Sequence, residues 1–170
     1  MFAFIPIFLS TPNALSPAQM ASKAHIMRLI EGEGLLPRTV GTSDVPSQFP
    51  LKEAAILARA CYGGVILGFE QGYAAVYQSK RGTKATREEP DKRFATPWNN
   101  IESGMLFALR KPILVFRQKD ISGGIFDHGV SDVFVHELPD AELTEAELSP
   151  IARVIKQWSS EVVSAYRKWG

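Results

Sequence analysis

The chain is poor in the residues from which metal, disulfide and redox sites are built. One cysteine, Cys61, stands among its 170 residues, which excludes an internal disulfide and a thiolate-rich zinc site. A reducing, cytoplasmic setting follows as the expectation. The three histidines, His25, His128 and His136, are too scattered to assemble a metal site, so neither a metal nor another cofactor is expected. Charge of one sign is also missing: 19 Lys and Arg against 18 Asp and Glu leave a net +1. That balance gives no electrostatic reason to expect polymeric nucleic acid or a membrane surface as partner. No apolar run approaches the ~20 residues of a membrane helix, and the apolar start, Met1 to Leu9, lacks the basic residue that opens a signal peptide. It reads as a first strand. A Walker loop, a nucleophile elbow and an ordered Ser-His-Asp set are absent too. Gly63-Gly64 and Gly68 enter a strand rather than a helix, so they make no dinucleotide fingerprint.

What remains is a chain with 45% hydrophobic and 22% charged residues, the composition of one folded domain over residues 1–170. Apolar runs alternate with helical patterns, the signature of repeated βα units around a parallel sheet. The first strand is expected over Phe4 to Leu9, pairing fully only from Ile7 because Pro6 cannot donate to a ladder. Ser16-Pro17-Ala18-Gln19 has the form of a capping box with proline at the first helical position. Met20, Ala24, Met27 and Ile30 follow at helical spacing. A second strand is expected near Leu35 to Val40, and a second helix from Pro50 to Cys61 burying Leu51, Ala54, Ala55 and Ala58.

Val65 to Phe69 reads as a central third strand, apolar throughout. The alternation then breaks over Gln71 to Ala95, where Ala74 to Tyr77 extend the third strand or the whole segment forms a lid or surface loop. A third helix over Pro97 to Leu109 leads into a fourth strand, Ile113 to Phe116, and a fifth is expected at Val133 to His136. Glu137 to Glu147 reads as an acidic solvated linker. Ser149-Pro150 opens a last helix whose stripe, Ile151, Val154, Ile155, Trp158, Val162, Ala165, Tyr166 and Trp169, packs on the sheet or joins copies into a homo-oligomer.

Five strands with interleaved helices suggest a flavodoxin-like, doubly wound sheet of order 2-1-3-4-5, whose ligand crevice opens at the carboxyl ends of the strands. The turns after strands one and three, Ser10-Thr11-Pro12-Asn13 and Phe69-Glu70-Gln71-Gly72, line that crevice, with the start of the third helix behind. Ser10 and Thr11 are candidates for holding a ribose hydroxyl or phosphate. Trp98 is a candidate for stacking on a base, and Asn99 and Asn100 for binding a ribose. Each has a plainer alternative as a cap or a packing residue. Glu102 follows Asn99 by three residues and is equally placed to close a capping box.

Strand-Ser10-x-Pro12 followed by Ser16-Pro17-x-Gln19 resembles the opening of the nucleoside 2-deoxyribosyltransferase family. The later stretch, Glu102-Ser103-Gly104, Ala108, Lys111-Pro112 and Ile113, resembles that family's glutamate-bearing helix and the strand after it. The likeness covers Ile5 to Phe116 and extends more distantly to TIR domains that cleave NAD. It implies a flavodoxin-like fold, a nucleoside, nucleotide or NAD-like ligand, and N-glycosidic-bond hydrolysis or transfer with Glu102 acting at the anomeric carbon. Ser10, Thr11, Pro12, Gln71, Trp98 and Asn99 would hold substrate. The sequence departs from the transferase pattern at Thr96, where the family usually carries an aspartate, which favours the alternative of a non-catalytic binding or signal-sensing module.

A carboxylate at a helix N-terminus should stay ionised near neutral pH, because the helix dipole favours negative charge. In the basic stretch Lys80 to Arg93, Arg81, Lys84 and Arg87 are candidates for a phosphate, since guanidinium groups pair bidentately with its oxygens. A solvated loop is the alternative. Asp127 and His128 fall in a tight Gly-flanked loop, where Asp127 is expected to bond backbone. Cys61 reads as a small buried residue.

Overall fold

Short apolar runs bounded by glycine and proline make buried parallel strands when helices cover both faces, and the fold is built from five of them. The structure is a computed structural model that describes residues 4–41 and 49–169. The elements are β1 (Ile5–Ser10), α1 (Pro17–Gly32), β2 (Leu35–Arg38), α2 (Pro50–Ala60), β3 (Gly64–Gly68), β4 (Gly72–Ser79), β5 (Arg87–Phe94), α3 (Pro97–Ala108), β6 (Ile113–Gln118), β7 (Val135–Leu138) and α4 (Glu145–Trp169). The sheet runs β2-β1-β3-β6-β7 with every pair parallel. Counting only the five sheet strands, this is the expected order 2-1-3-4-5. Phe2 lies outside the described residues, as does the side chain of Trp169.

The two faces of the sheet carry separate cores. Ile7 and Leu9 of β1 point with Val65, Leu67, Leu114 and Phe116 toward Ile26 and Ile30 of α1 and Ile151, Ile155, Trp158 and Val162 of α4. Phe8, Ile66 and Val115 point the other way, onto Ala54, Leu57 and Ala58 of α2 and Leu106 of α3. Alternation at period two thus sorts the strand residues between helix layers. The α4 stripe packs on the sheet through Val162.

Several expectations need correction. Pairing in β1 begins at Ile5, not Ile7, since Pro6 lies opposite Leu36 of β2 while β3 joins only at Phe8. The Pro6 carbonyl accepts from Tyr62 on the β3 side, so its missing N–H faces a place where no ladder bond was due. Helix α1 buries Gln19, Ser22, Ile26 and Ile30, whereas Met20 is 54% exposed. The capping box forms as expected, Gln19 N donating to Ser16 Oγ at 3.2 Å and Ser16 N to Gln19 Oε1 at 2.9 Å. The Gln19 amide then reaches inward to Gln118 Oε1 at 2.8 Å, which turns the helix off its apolar periodicity. In α2, Leu57 replaces Leu51 on the buried face.

Residues 72–94 form neither a third-strand extension nor a loop but an antiparallel hairpin, β4 with β5, registered from Gly72 against Phe94 to Ser79 against Arg87. Arg93 fastens its base, pairing with Glu70 and donating to Lys119 O at 2.9 Å and to both oxygens of Asp140 at 2.8 and 3.0 Å. The last helix starts a turn earlier than expected, because Thr144 caps it and Glu147 reaches back to Thr144 N at 2.8 Å. Glu137 belongs to β7, so the acidic linker is shorter than the composition suggested. Among the described residues no helix is long and apolar enough to cross a membrane.

Candidate functional site

Ser10 is the last residue of β1, and alternation from Phe8 turns its side chain toward α2 and α3. There it meets Asn99, whose Nδ2 donates to Ser10 Oγ at 2.8 Å and lies 3.5 Å from Leu67 O on β3. Asn99 and Glu102 are three residues apart in α3, hence on one face of the helix, and the Ser10 hydroxyl lies close enough to the Glu102 carboxyl to favour its ionised form. The helix is placed by Pro97 at its start and by Thr96, whose Oγ1 caps Trp98 N. Thr96 is therefore the N-cap, and the Asn99–Glu102 capping box does not form: Asn99 is inside the helix and fully buried.

Above this trio lies a cavity of about 350 Å³. Leu9, Thr11, Pro12 and Asn13 line it from β1 and its turn, Thr39, Val40 and Gly41 from the end of β2, Pro50 from the start of α2, and Thr96, Trp98 and Glu102 from α3. Glu102 is the one ionisable side chain in this lining among the described residues. Residues 42–48 contain no Lys or Arg in sequence. The Thr11 hydroxyl oxygen is buried without a hydrogen-bond partner, which a ligand polar group would supply.

Burial pushes the Glu102 carboxyl up to about 7, against the smaller downward pull of the Ser10 hydroxyl. This corrects the expectation of a carboxylate kept fully ionised by the helix dipole. Glu102 sits in the second turn of α3, beyond the free N–H groups through which the dipole acts, so desolvation wins. Near pH 7 the group is divided between both protonation states and suits proton transfer as well as electrostatic stabilisation.

The sequence candidates separate into three groups. Thr11, Pro12, Trp98 and Glu102 line the cavity, and Ser10 and Asn99 stand directly behind Glu102. Gln71 is outside it, its amide donating to Ala14 O at 2.9 Å and to Glu70 O. Arg81, Lys84 and Arg87 are exposed at the far end of the hairpin and do not line it either. Asn100 is committed elsewhere: its Oδ1 accepts from Ile125 N at 2.9 Å. Asp127 bonds backbone as expected, accepting from Gly123 N at 2.7 Å. Glu70, a conceivable second acid, is paired with Arg93.

Thr39, Val40, Gly41 and Pro50 escaped the sequence reading. Because β2 lies beside β1, its carboxyl end opens onto the same crevice; that neighbour relation was implicit in the strand order and pointed to the segment after Arg38.

No protein-family model matches the chain, and no curated protein sequence matches it. Solved structures do. The Flv1 flavodiiron core from Synechocystis sp. PCC6803 is similar over 96% of this chain and 37% of its own, with a TM-score of 0.59 and 12% identity. The flavodiiron protein from Giardia intestinalis is similar over the same shares with a TM-score of 0.54 and 10% identity. The apo form of an NADH:FMN oxidoreductase is similar over 92% of this chain and 88% of its own, with a TM-score of 0.55 and 13% identity. The chain thus spans about 37% of the flavodiiron proteins it resembles. At such identities the likeness shows the α/β fold, a flavodoxin-like parallel sheet between two helix layers.

Proposed function

We propose that the chain binds an unphosphorylated nucleoside and cleaves its N-glycosidic bond, with Glu102 as the catalytic carboxylate. The observation that carries this reading is a desolvated glutamate beside an exposed tryptophan face in a cavity with no cation in its described lining. Breaking the bond between C1 and the base nitrogen develops positive charge on the sugar ring, and the ionised fraction of Glu102 stabilises that charge or bonds to C1. The electron pair of the broken bond leaves with the base. Water completes hydrolysis, and a second base completes transfer. Trp98 supplies an apolar face for the base, and Thr11 a hydroxyl for the sugar. The absence of a cation from the described lining disfavours phosphorylated substrates, which arginine or lysine would otherwise hold. The resemblance to nucleoside 2-deoxyribosyltransferases points the same way, and the lone buried thiol suits a cytoplasmic setting.

A flavin mononucleotide, suggested by the names of the structural neighbours, would meet no lysine or arginine for its phosphate in the described lining. Its phosphate needs backbone donors at a helix start or a cation. At α1 the Gln19 N–H is taken by Ser16 Oγ, and Pro12 and Pro17 have no N–H to give, which narrows the donors at this helix start. Nor does any group of His, Cys, Asp and Glu among the described residues offer a metal site.

A binding module that releases no product is the second reading, favoured by Thr96 acting as a cap where transferases carry an acid. Incubation with nucleosides, nucleotides and NAD separates the two, following free base by chromatography and ligand binding by thermal shift. Base release from unphosphorylated nucleosides, lost in Glu102→Gln, is expected. Melting shifts without product would establish the module, and neither effect on any compound would remove both.

A further inference from the structure

The hairpin between β3 and α3 has two outer edges, and the sequence builds them differently. β5 is charged at every position but Pro90 and Phe94, and charges and proline are what keep other strands off an edge. Its outer side also meets the rest of the chain, where Arg93 bridges Ile121. β4 has the sequence GYAAVYQS, eight residues without a charge or a proline. Among the described residues it pairs with β5 alone, and no other backbone hydrogen bond reaches residues 72–79. Tyr73 is 57% and Val76 65% exposed along it. A two-stranded ribbon is marginal by itself, and further strands stabilise it.

We propose that β4 is a self-association edge: a second copy of the chain adds its own β4 antiparallel across a two-fold axis, making a four-stranded ribbon with β5 on each outside. Self-pairing sets a strand against the same residues again, and like charges directly opposite each other are destabilising. β4 has none to repel. The charges flanking it favour the same arrangement. With the axis midway along the strand, between Ala75 and Val76, Gly72 of one copy lies opposite Ser79 of the other, so each hairpin tip comes beside the other hairpin's base. The tip is cationic, with Lys80, Arg81, Lys84 and Arg87 and no acid between Ser79 and Glu88. Its turn is held by Thr83 and Thr86, whose hydroxyls donate to Lys80 O at 2.8 and 3.0 Å. At the base Glu70 and Asp140 share one cation, Arg93, which leaves negative charge in that cluster to meet the tip. The α4 stripe is not available for this purpose, since it is packed on the sheet.

The test is sedimentation velocity on the full chain from micromolar concentration to roughly 1 mM, a range that reaches weak association, with amide exchange followed at both ends. A dimer is expected to form with concentration, and exchange in residues 72–79 to slow at least about tenfold as it does. Val76→Lys brings two lysines together at the axis, and Arg81→Glu sets an acid against the acidic base. Each should raise the dissociation constant at least about tenfold. Both positions are exposed in the single chain, and protected amides in β3 and β6 verify that the variants are folded. A monomer at every concentration would overturn the proposal. So would a dimer that either substitution leaves unchanged, a dimer without slowed exchange in β4, or growth beyond two copies. No turnover is measured, so the result is independent of the nucleoside reading.

Discussion

A carboxyl that the fold keeps protonated above its ordinary range must weaken the fold once it ionises, and Glu102→Gln isolates that effect. The carboxyl moves from the usual 4.5 in the unfolded chain to about 7 in the native one, a rise of about 2.5. Between those values the native state binds more protons than the unfolded state, so stability is greatest below the lower value and falls as pH rises through the higher. At 1.36 kcal/mol per pH unit, the full loss is roughly 3 kcal/mol. Partial solvent access to the cavity reduces it to roughly 2 to 3 kcal/mol. Glutamine is neutral throughout and keeps the shape, so the stability of the variant minus that of the wild type should grow by that amount from about pH 5 to about pH 8. Other groups, including His136 with its value depressed by burial, titrate in both proteins and cancel. Urea unfolding at the two pH values measures the difference directly, and the melting temperatures should separate by roughly 5 to 10 °C at the higher pH. A difference that stays constant, or shrinks, between the two pH values would refute the claim that Glu102 is desolvated.

Three other expectations follow from contacts elsewhere. In Gly124→Ala, a Cβ would lie 2.1 Å from Asn100 Oδ1 at a backbone φ of +63°, displacing the bond to Ile125 N; a loss of at least about 2 kcal/mol is expected in denaturant unfolding. Arg93→Ala removes the cation shared by Glu70 and Asp140, so amide exchange across β4 and β5 should speed up at least about tenfold while the parallel sheet stays protected. The Cys61 thiol, fully buried and pushed up to about 11, should resist aromatic disulfide reagents at about pH 8 until denaturant is added. Prompt labelling would contradict its place in the core.

The parallel sheet was readable because its signals are local: Val65 to Leu67 are apolar in succession, and Ser16 to Gln19 carry a capping box. The hairpin was hidden because β5, Arg87 to Phe94, has no apolar alternation and contains Pro90; its stability comes from pairing with β4 and from Arg93 bridging distant acids. The face of α1 was misread for a related reason. Gln19 is drawn inward by Gln118, 99 residues away, which no periodicity reveals. At the site, Glu102, Trp98 and Thr11 were legible from topology. The protonation of Glu102 was not, since it depends on how much protein surrounds the second turn of a helix rather than on where the helix begins.

The most direct test of the central claim is free-base release from an unphosphorylated nucleoside near pH 7, measured side by side for the wild-type chain and Glu102→Gln. The account predicts release by the wild type that increases as pH rises through about 7 and falls at least about a hundredfold in the variant. Equal release by the two proteins would contradict it.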